Sequence, residues 1–307
     1  MSRLLRRPYG AGIAASAAAL CFGANRQPRS AGAHRPVVSS AAARTGDPHL
    51  WLEEIEGEDA LCWCREQNDR VVAAVGDPLK SDAYAKILAI QDSKDKIPYV
   101  GRIGGRTGDE AAKVYYNFWQ DADHVRGMWR RTSLASFRSA QPEWEVVLDL
   151  DALNAAEGMP EGQQYVWHGS DVLDEGPGKA LWDRVLVFLS PGGTDAQVVR
   201  EFDLEGRAFV DGGFRTDVAA KCDVGYRTRD ELLIGTDFSG DGSTLTDSGY
   251  PRVVKSWRRG TPLSEAVTVF EVERGDIAAA AYTYHERDGT PHEFLLRQKT
   301  FYSSEQW

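Results

Sequence analysis

Two hydrophobic patterns divide the chain. In the first stretch, Leu61, Cys62, Arg65 and Val72 fall on one amphipathic face at helical spacing. The pattern predicts helices over roughly 50–73 and 79–91. Asp77-Pro78 breaks the pair, because a residue that precedes proline is driven out of the helical region. Asp47-Pro48 reads as a helix start, and Glu53, Glu54, Glu56, Glu58 and Asp59 come next, where the helix dipole favours acids.

Beyond Ile97 the period changes to two. Short apolar or alternating runs succeed one another, bounded by Gly, Asp, Asn and Pro. They include Val114–Trp119, Met128–Leu134, Trp144–Leu150, Tyr165–Trp167, Val185–Ser190, Val198–Leu204, Leu232–Thr236, Arg252–Trp257, Val267–Val272, Ile277–Tyr284 and Phe294–Thr300. Many short strands in series predict a sandwich, a barrel or a propeller. An internal repeat selects among them. Leu148-Asp149-Leu150-Asp151, Phe202-Asp203-Leu204-Glu205 and Phe270-Glu271-Val272-Glu273 share an apolar–acid–apolar–acid ending, at spacings of 54 and 68 residues. Each comes after a hairpin-like pair of strands, and a shorter aromatic strand precedes two of those pairs, at Tyr165–Trp167 and Val224–Tyr226. A four-strand unit recurring about every 40–50 residues is a propeller blade, here lengthened by loops. Three units fit between 97 and 273, and a fourth begins at Ile277. The expectation is a chain that forms part of a larger ring.

Composition narrows the function. The 307 residues are 42% hydrophobic and 27% charged, which is globular. No apolar run reaches the ~18 residues of a membrane-spanning helix. Four Cys in this length do not make a disulfide framework. The net charge of −10 is uneven: residues 1–46 hold seven Arg and no acid, leaving −17 on the remainder. So acidic a body repels phosphate backbones, which argues against a nucleic-acid partner. Residues 1–46 also hold twelve Ala and five Ser, the composition of an organellar transit peptide. A secretory signal is a second reading, with Arg3, Arg6 and Arg7 before the uncharged stretch Ala11–Gly23 and Ala31-Gly32-Ala33 as a cleavage site. A disordered tail from an over-called start, leaving a cytoplasmic protein, is the third.

Residue chemistry offers no catalytic, cofactor or metal site. A hydrolase nucleophile needs the strained Gly-x-Ser-x-Gly elbow, and no Ser here has it. Ser170, in His168-Gly169-Ser170-Asp171, comes nearest and reads as a turn residue. His285-Glu286 and His292-Glu293 are seven apart around Asp288-Gly289, which suits a solvated hairpin and not a zinc helix. Cys62 and Cys64 point to different helix faces, and Cys222 is isolated. Asp237–Asp247, with Gly240 and Gly242, has acidic-loop composition without calcium-loop spacing. Trp129-Arg130-Arg131 and Trp257-Arg258-Arg259 read as strand residues with exposed alternate positions, at similar places in their blades.

Several segments together resemble one family. Asp47-Pro48-His49-Leu50-Trp51-Leu52-Glu53-Glu54 resembles the opening of the prolyl oligopeptidase family of serine peptidases. Tyr116-Asn117-Phe118-Trp119-Gln120-Asp121, then Arg126-Gly127-Met128-Trp129-Arg130-Arg131-Thr132, is similar to the first blade of its bacterial-type branch. Leu148–Leu153, Val199–Asp203, Gly235–Phe238 and Ser248–Arg252 continue the likeness in order, over about Asp47 to Tyr302. The resemblance implies N-terminal helices, a seven-bladed propeller that admits only short peptides, and an α/β-hydrolase domain carrying Ser, Asp and His. It implies for this chain a mainly β fold: a partial propeller of about three to four blades behind a short helical segment. The divisions are a leader at 1–46, helices at 47–96 and an incomplete propeller at 97–307. The implied partners are short peptides and the catalytic domain, on which the helices would bury Trp51, Leu52, Leu61, Ile87 and Leu88. Thr107–Ala112 reads as a local insertion. The alternative is a non-enzymatic propeller that binds peptides or proteins.

The charge contrast between leader and body predicts that residues 1–46 are removed from, or unstructured in, the mature protein. Intact-mass measurement on native material checks this; an uncleaved, protease-protected N-terminus counts against it.

Overall fold

A computed structural model describes residues 47–54, 56–104, 113–176, 182–286 and 288–307. The leader and the 107–112 insertion lie outside the described residues. The rest falls into two compact units, one with the helices and ending at Lys94, the other with the sheets and starting at Asp95.

In the helical unit a 3-10 turn at Leu50–Glu53 precedes a helix at Glu58–Val75. Glu58 and Asp59 sit in its first turn, where they oppose the dipole. It ends at Gly76, whose N–H closes the last helical bond to the Val72 carbonyl and whose φ of 91° turns the chain out of the helix. The Asp77 carboxylate then accepts from Leu79 N–H, and Ser81 Oγ accepts from Tyr84 N–H to start the helix Asp82–Gln91. Both predicted helices are present, the first beginning later than the periodicity indicated because the 3-10 turn precedes it. Of the residues in these two helices only Ala60 is buried. Leu61, Trp63, Val72, Ile87, Leu88 and Ile90 are exposed.

The sheet unit contains four antiparallel sheets. Blade 1 is β1 (Arg102–Gly104), β2 (Val114–Trp119), β3 (Met128–Ser133) and β4 (Glu145–Asp149). Blade 2 is β5 (Tyr165–Val172), β6 (Arg184–Pro191), β7 (Val198–Asp203) and β8 (Ala208–Phe209). Blade 3 is β9 (Asp223–Thr228), β10 (Glu231–Gly235), β11 (Val253–Arg258) and β12 (Val267–Glu271). Blade 4 is β13 (Ala278–His285), β14 (Pro291–Thr300) and β15 (Ser303–Gln306). The blade count read from the repeat holds.

The core lies in the seams between blades, so the middle strands are apolar on both faces. Val185, Val187 and Leu189 of β6 pack toward blade 1, with Tyr116, Trp129 and Leu148. Leu186, between them in sequence, packs toward blade 3 with Val224, Leu232 and Trp257. Leu233 of β10 likewise turns the other way, onto Ala279 and Ala281 of blade 4.

The repeated acidic endings are not structurally equivalent. Asp149 and Glu271 close fourth strands, whereas Asp203 closes β7, the third strand of its blade. Blade 2 turns sooner because Asp203 Oδ1 accepts the Glu205 and Gly206 N–H groups at 2.9 and 2.8 Å. In blade 1, Asp149 caps a helix at Leu150–Ala156. This replaces the strand ending expected at Leu150.

Gly127, just before β3, has φ 89°, and a Cβ there would lie 2.6 Å from both Phe118 Cζ and Gln120 Cγ. Its N–H donates to Asp151 Oδ2 at 3.2 Å, tying the hairpin to that helix. Gly127→Ala is expected to lose at least about 2 kcal/mol of stability, from the left-handed backbone and the collision together. Urea unfolding of the two proteins measures it.

Candidate functional site

The first strands of successive blades lie side by side: β5 beside β9, and β9 beside β13. They form the wall of the propeller axis, and the residues singled out in sequence can be placed against it.

Ser170 is a strand residue of β5, opposite Val187, and not in a turn as expected. Gly169 takes φ 120° within the strand, and the register shifts between Trp167 and Gly169, leaving His168 as the extra residue of a bulge. His168 Nδ1 contacts Gln197 Oε1 at 2.5 Å, and Gln197 Nε2 reaches Cys222 Sγ at 3.2 Å. Burial pushes the Cys222 thiol up to about 11, so it stays protonated near neutral pH. Cys62 and Cys64 are exposed thiols.

His285 and His292 sit on the expected hairpin, but on opposite faces. His285 lies opposite Pro291 and His292 opposite Tyr284, and His292 Nε2 is 3.1 Å from Glu286 Oε1. In the acidic loop, Asp237 accepts the Gly240 and Gly242 N–H groups at 3.1 and 3.0 Å. That carboxylate holds its own loop together. Among the described residues, no group of three or more His, Cys, Asp or Glu is placed to hold a metal ion, and no helix is long and apolar enough to cross a membrane.

The two Trp-Arg-Arg segments differ in part from their sequence reading. Trp129 and Trp257 both lie on the third strands of their blades, as their similar places implied, but near the start of β3 and near the end of β11. The arginines do not simply alternate outward. The Arg130 guanidinium is sandwiched between the Trp119 and Trp144 rings, 4.1 and 4.4 Å from their centroids. Arg131 donates to Glu145 and, across the seam, to the Leu204 carbonyl, both at 2.6 Å. A recess of about 600 Å³ beside them is lined by Lys113, Arg131, Glu143, Trp144 and Glu145.

Arg259 holds a buried carboxylate across the second seam. Its fork meets both oxygens of Glu201 at 2.6 and 2.8 Å, joining blade 3 to blade 2. The Glu201 side chain is 0% exposed. It also accepts the Phe214 N–H at 3.1 Å and the Tyr226 hydroxyl at 3.0 Å. Burial alone would raise this carboxyl; Arg259, the Phe214 N–H and the Tyr226 hydroxyl together hold it below its ordinary 4.5. Arg229 crosses the same seam, contacting Glu175 at 2.7 Å and Asp183 at 2.9 Å. Asp183, too, is held below its ordinary value: burial opposes, and Arg229 prevails.

Residues 28–290 match the family described as prolyl oligopeptidase, N-terminal beta-propeller domain. The chain belongs to the prolyl oligopeptidase family. This family propeller is 35% identical over 254 residues to the uncharacterized peptidase y4nA of Sinorhizobium fredii, covering 82% of the chain and 32% of that protein. Against the uncharacterized peptidase RP174 of Rickettsia prowazekii it is 27% identical, covering 75% and 30%. The chain thus spans about a third of the length of the curated relatives it matches. A post-proline cleaving enzyme from Rickettsia typhi superposes with a TM-score of 0.67 at 27% identity, over 86% of this chain and 36% of that one. Oligopeptidase B from Leishmania major, at 15% identity and a TM-score of 0.52 over 82% and 31%, shares the fold.

Sequence reasoning missed the seam ion pairs of this prolyl oligopeptidase-family propeller. One signal was available: Glu201 shares its strand face with Val199, a core position, so a carboxylate there needs a buried cation. Arg259→Ala would leave that charge unpaired and is expected to cost about 3–5 kcal/mol in urea unfolding. Because Glu201 and Asp183 titrate below their unfolded values, their stabilisation is complete above about pH 4.5 and fades as the pH falls. Glu201→Gln should flatten that acid limb.

Proposed function

We propose that this chain gates and positions short peptides for the α/β-hydrolase domain of a prolyl-oligopeptidase-like serine peptidase. The observation that carries this reading is the family match over residues 28–290, on blades whose first strands lie side by side. The catalytic domain supplies the nucleophile, base and acid, and an acyl-enzyme forms there. The propeller's part is steric: a peptide reaches the catalytic serine only if it passes the blades.

The helical unit has a partner-facing role in this reading. Leu61, Trp63, Val72, Ile87, Leu88 and Ile90 present apolar area to solvent. Each ~100 Å² covered by a catalytic domain contributes about 2.5 kcal/mol. Ser170 has no part in the chemistry. It lies in a strand opposite Val187 and lacks the exposed elbow a serine nucleophile needs.

The test is to supply, as a separate polypeptide, the part of the Sinorhizobium peptidase that this chain does not cover. The 307-residue chain alone is expected to leave proline-containing fluorogenic peptides uncut. Together, the two are expected to associate and to cleave short peptides while sparing folded proteins. Turnover by the chain alone that survives repurification and is blocked by a serine-reactive phosphonate would overturn the reading, as would failure of the two to associate.

A further inference from the structure

The turn joining the first two strands of blade 3 is tied to the blades on both sides. The turn itself is Arg229-Asp230, and with the adjoining strand residues Tyr226, Arg227, Thr228 and Glu231 it makes a six-residue hairpin tip. Tyr226 donates its hydroxyl to Glu201 of blade 2 at 3.0 Å. Arg229 reaches Glu175 and Asp183, which lie in the connection between β5 and β6 of blade 2. Arg227 turns the opposite way, onto Glu293 of blade 4 at 2.7 Å. Asp230 and the Arg229 carbonyl both accept from Arg259, at 3.0 and 2.5 Å, and Arg259 is itself locked to Glu201. Glu231 accepts from Arg227 at 3.3 Å and from the Ser256 hydroxyl. Thr228 Oγ1 accepts the Asp230 N–H at 3.3 Å, which stiffens the turn itself.

These contacts form one connected set. Arg227 is linked through Glu231 and the turn backbone to Arg229 and Arg259, so blade 2 and blade 4 meet through six residues. Planar guanidinium forks fix direction as well as distance, which a single ammonium contact does not. The apolar seams allow small sliding between sheets; this turn opposes it at the end of the blades where first strands pass into second strands. We propose that the hairpin tip Tyr226–Glu231 is an ionic clamp that makes blades 2, 3 and 4 move as one rigid body. Widening of the axis to admit a peptide then takes place at a seam outside these three blades. That consequence rests on the peptidase reading; the rigidity does not.

Hydrogen exchange followed by mass spectrometry on the full chain tests the clamp without any activity measurement. Arg227→Ala removes the contact to blade 4, and Arg229→Ala removes contacts to blade 2. Each is expected to speed exchange by about tenfold in the blade it does not itself touch, with the pair non-additive. The β2–β3 hairpin of blade 1 should keep its wild-type rates. Acceleration confined to the blade that lost its own contact, or strictly additive effects, would overturn the proposal. Should a variant fail to fold, the wild-type chain is measured across a sodium chloride series, since these ion pairs are partly exposed and screenable. Blades 2 and 4 are then expected to loosen at the same salt concentration, and loosening at separate concentrations overturns the clamp.

Discussion

Every inner sheet of a propeller must be covered on both faces, and the architecture stems from that requirement. A strand such as β6 cannot keep a solvent side: Val185, Val187 and Leu189 meet blade 1 while Leu186 meets blade 3. Burying both faces removes the polar positions that would otherwise fix strand register and sheet order. Large aromatics and a few buried charges take over that task. The first seam relies on the Tyr116, Trp129 and Trp167 rings, with centroids 5.0 and 5.2 Å apart in succession. The second adds Glu201 and Arg259 to Phe214 and Trp257. The third is made of smaller side chains, Ala279 and Ala281 among them.

The buried pair illustrates how specificity and stability separate. Taking Glu201 out of water is costly, and Arg259 with two further donors offsets the cost without a large surplus. A hydrophobic pair could pack there at similar stability. It could not reject a wrong alignment, because an apolar contact tolerates displacement that a two-pronged ion pair does not.

Blade number was legible because it depends on local features. Alternating apolar runs, their lengths and the Gly, Asp and Pro between them are read within ten residues or so. The helix break at Asp77-Pro78 was legible for the same reason. The features that escaped are set by distant partners or by single backbone angles. Glu201 and Arg259 are 58 positions apart. Ser170 read as a turn residue after the aromatic run Tyr165–Trp167, whereas here the strand continues through a bulge at His168-Gly169. Repeated words also misled: the acid endings recur in composition, but Asp203 closes a third strand where Asp149 and Glu271 close fourth strands. A repeat of letters fixes the number of units more securely than the alignment of one unit on another.

The acid endings have a consequence of their own. Asp149 and Asp203 each close a strand by accepting backbone N–H groups only two or three residues ahead. Termination is thereby completed within a few residues, and the segment after it is no longer bound to a strand ladder. In one blade that segment is a seven-residue helix, and in another a tight turn into the two-residue strand β8. Such points are where the path of the chain can differ from blade to blade, within the contacts that residues such as Leu150 and Asp151 must keep. A lineage could remodel the rim of the ring there, and with it the molecules that the rim meets, while the strands behind stay as they are.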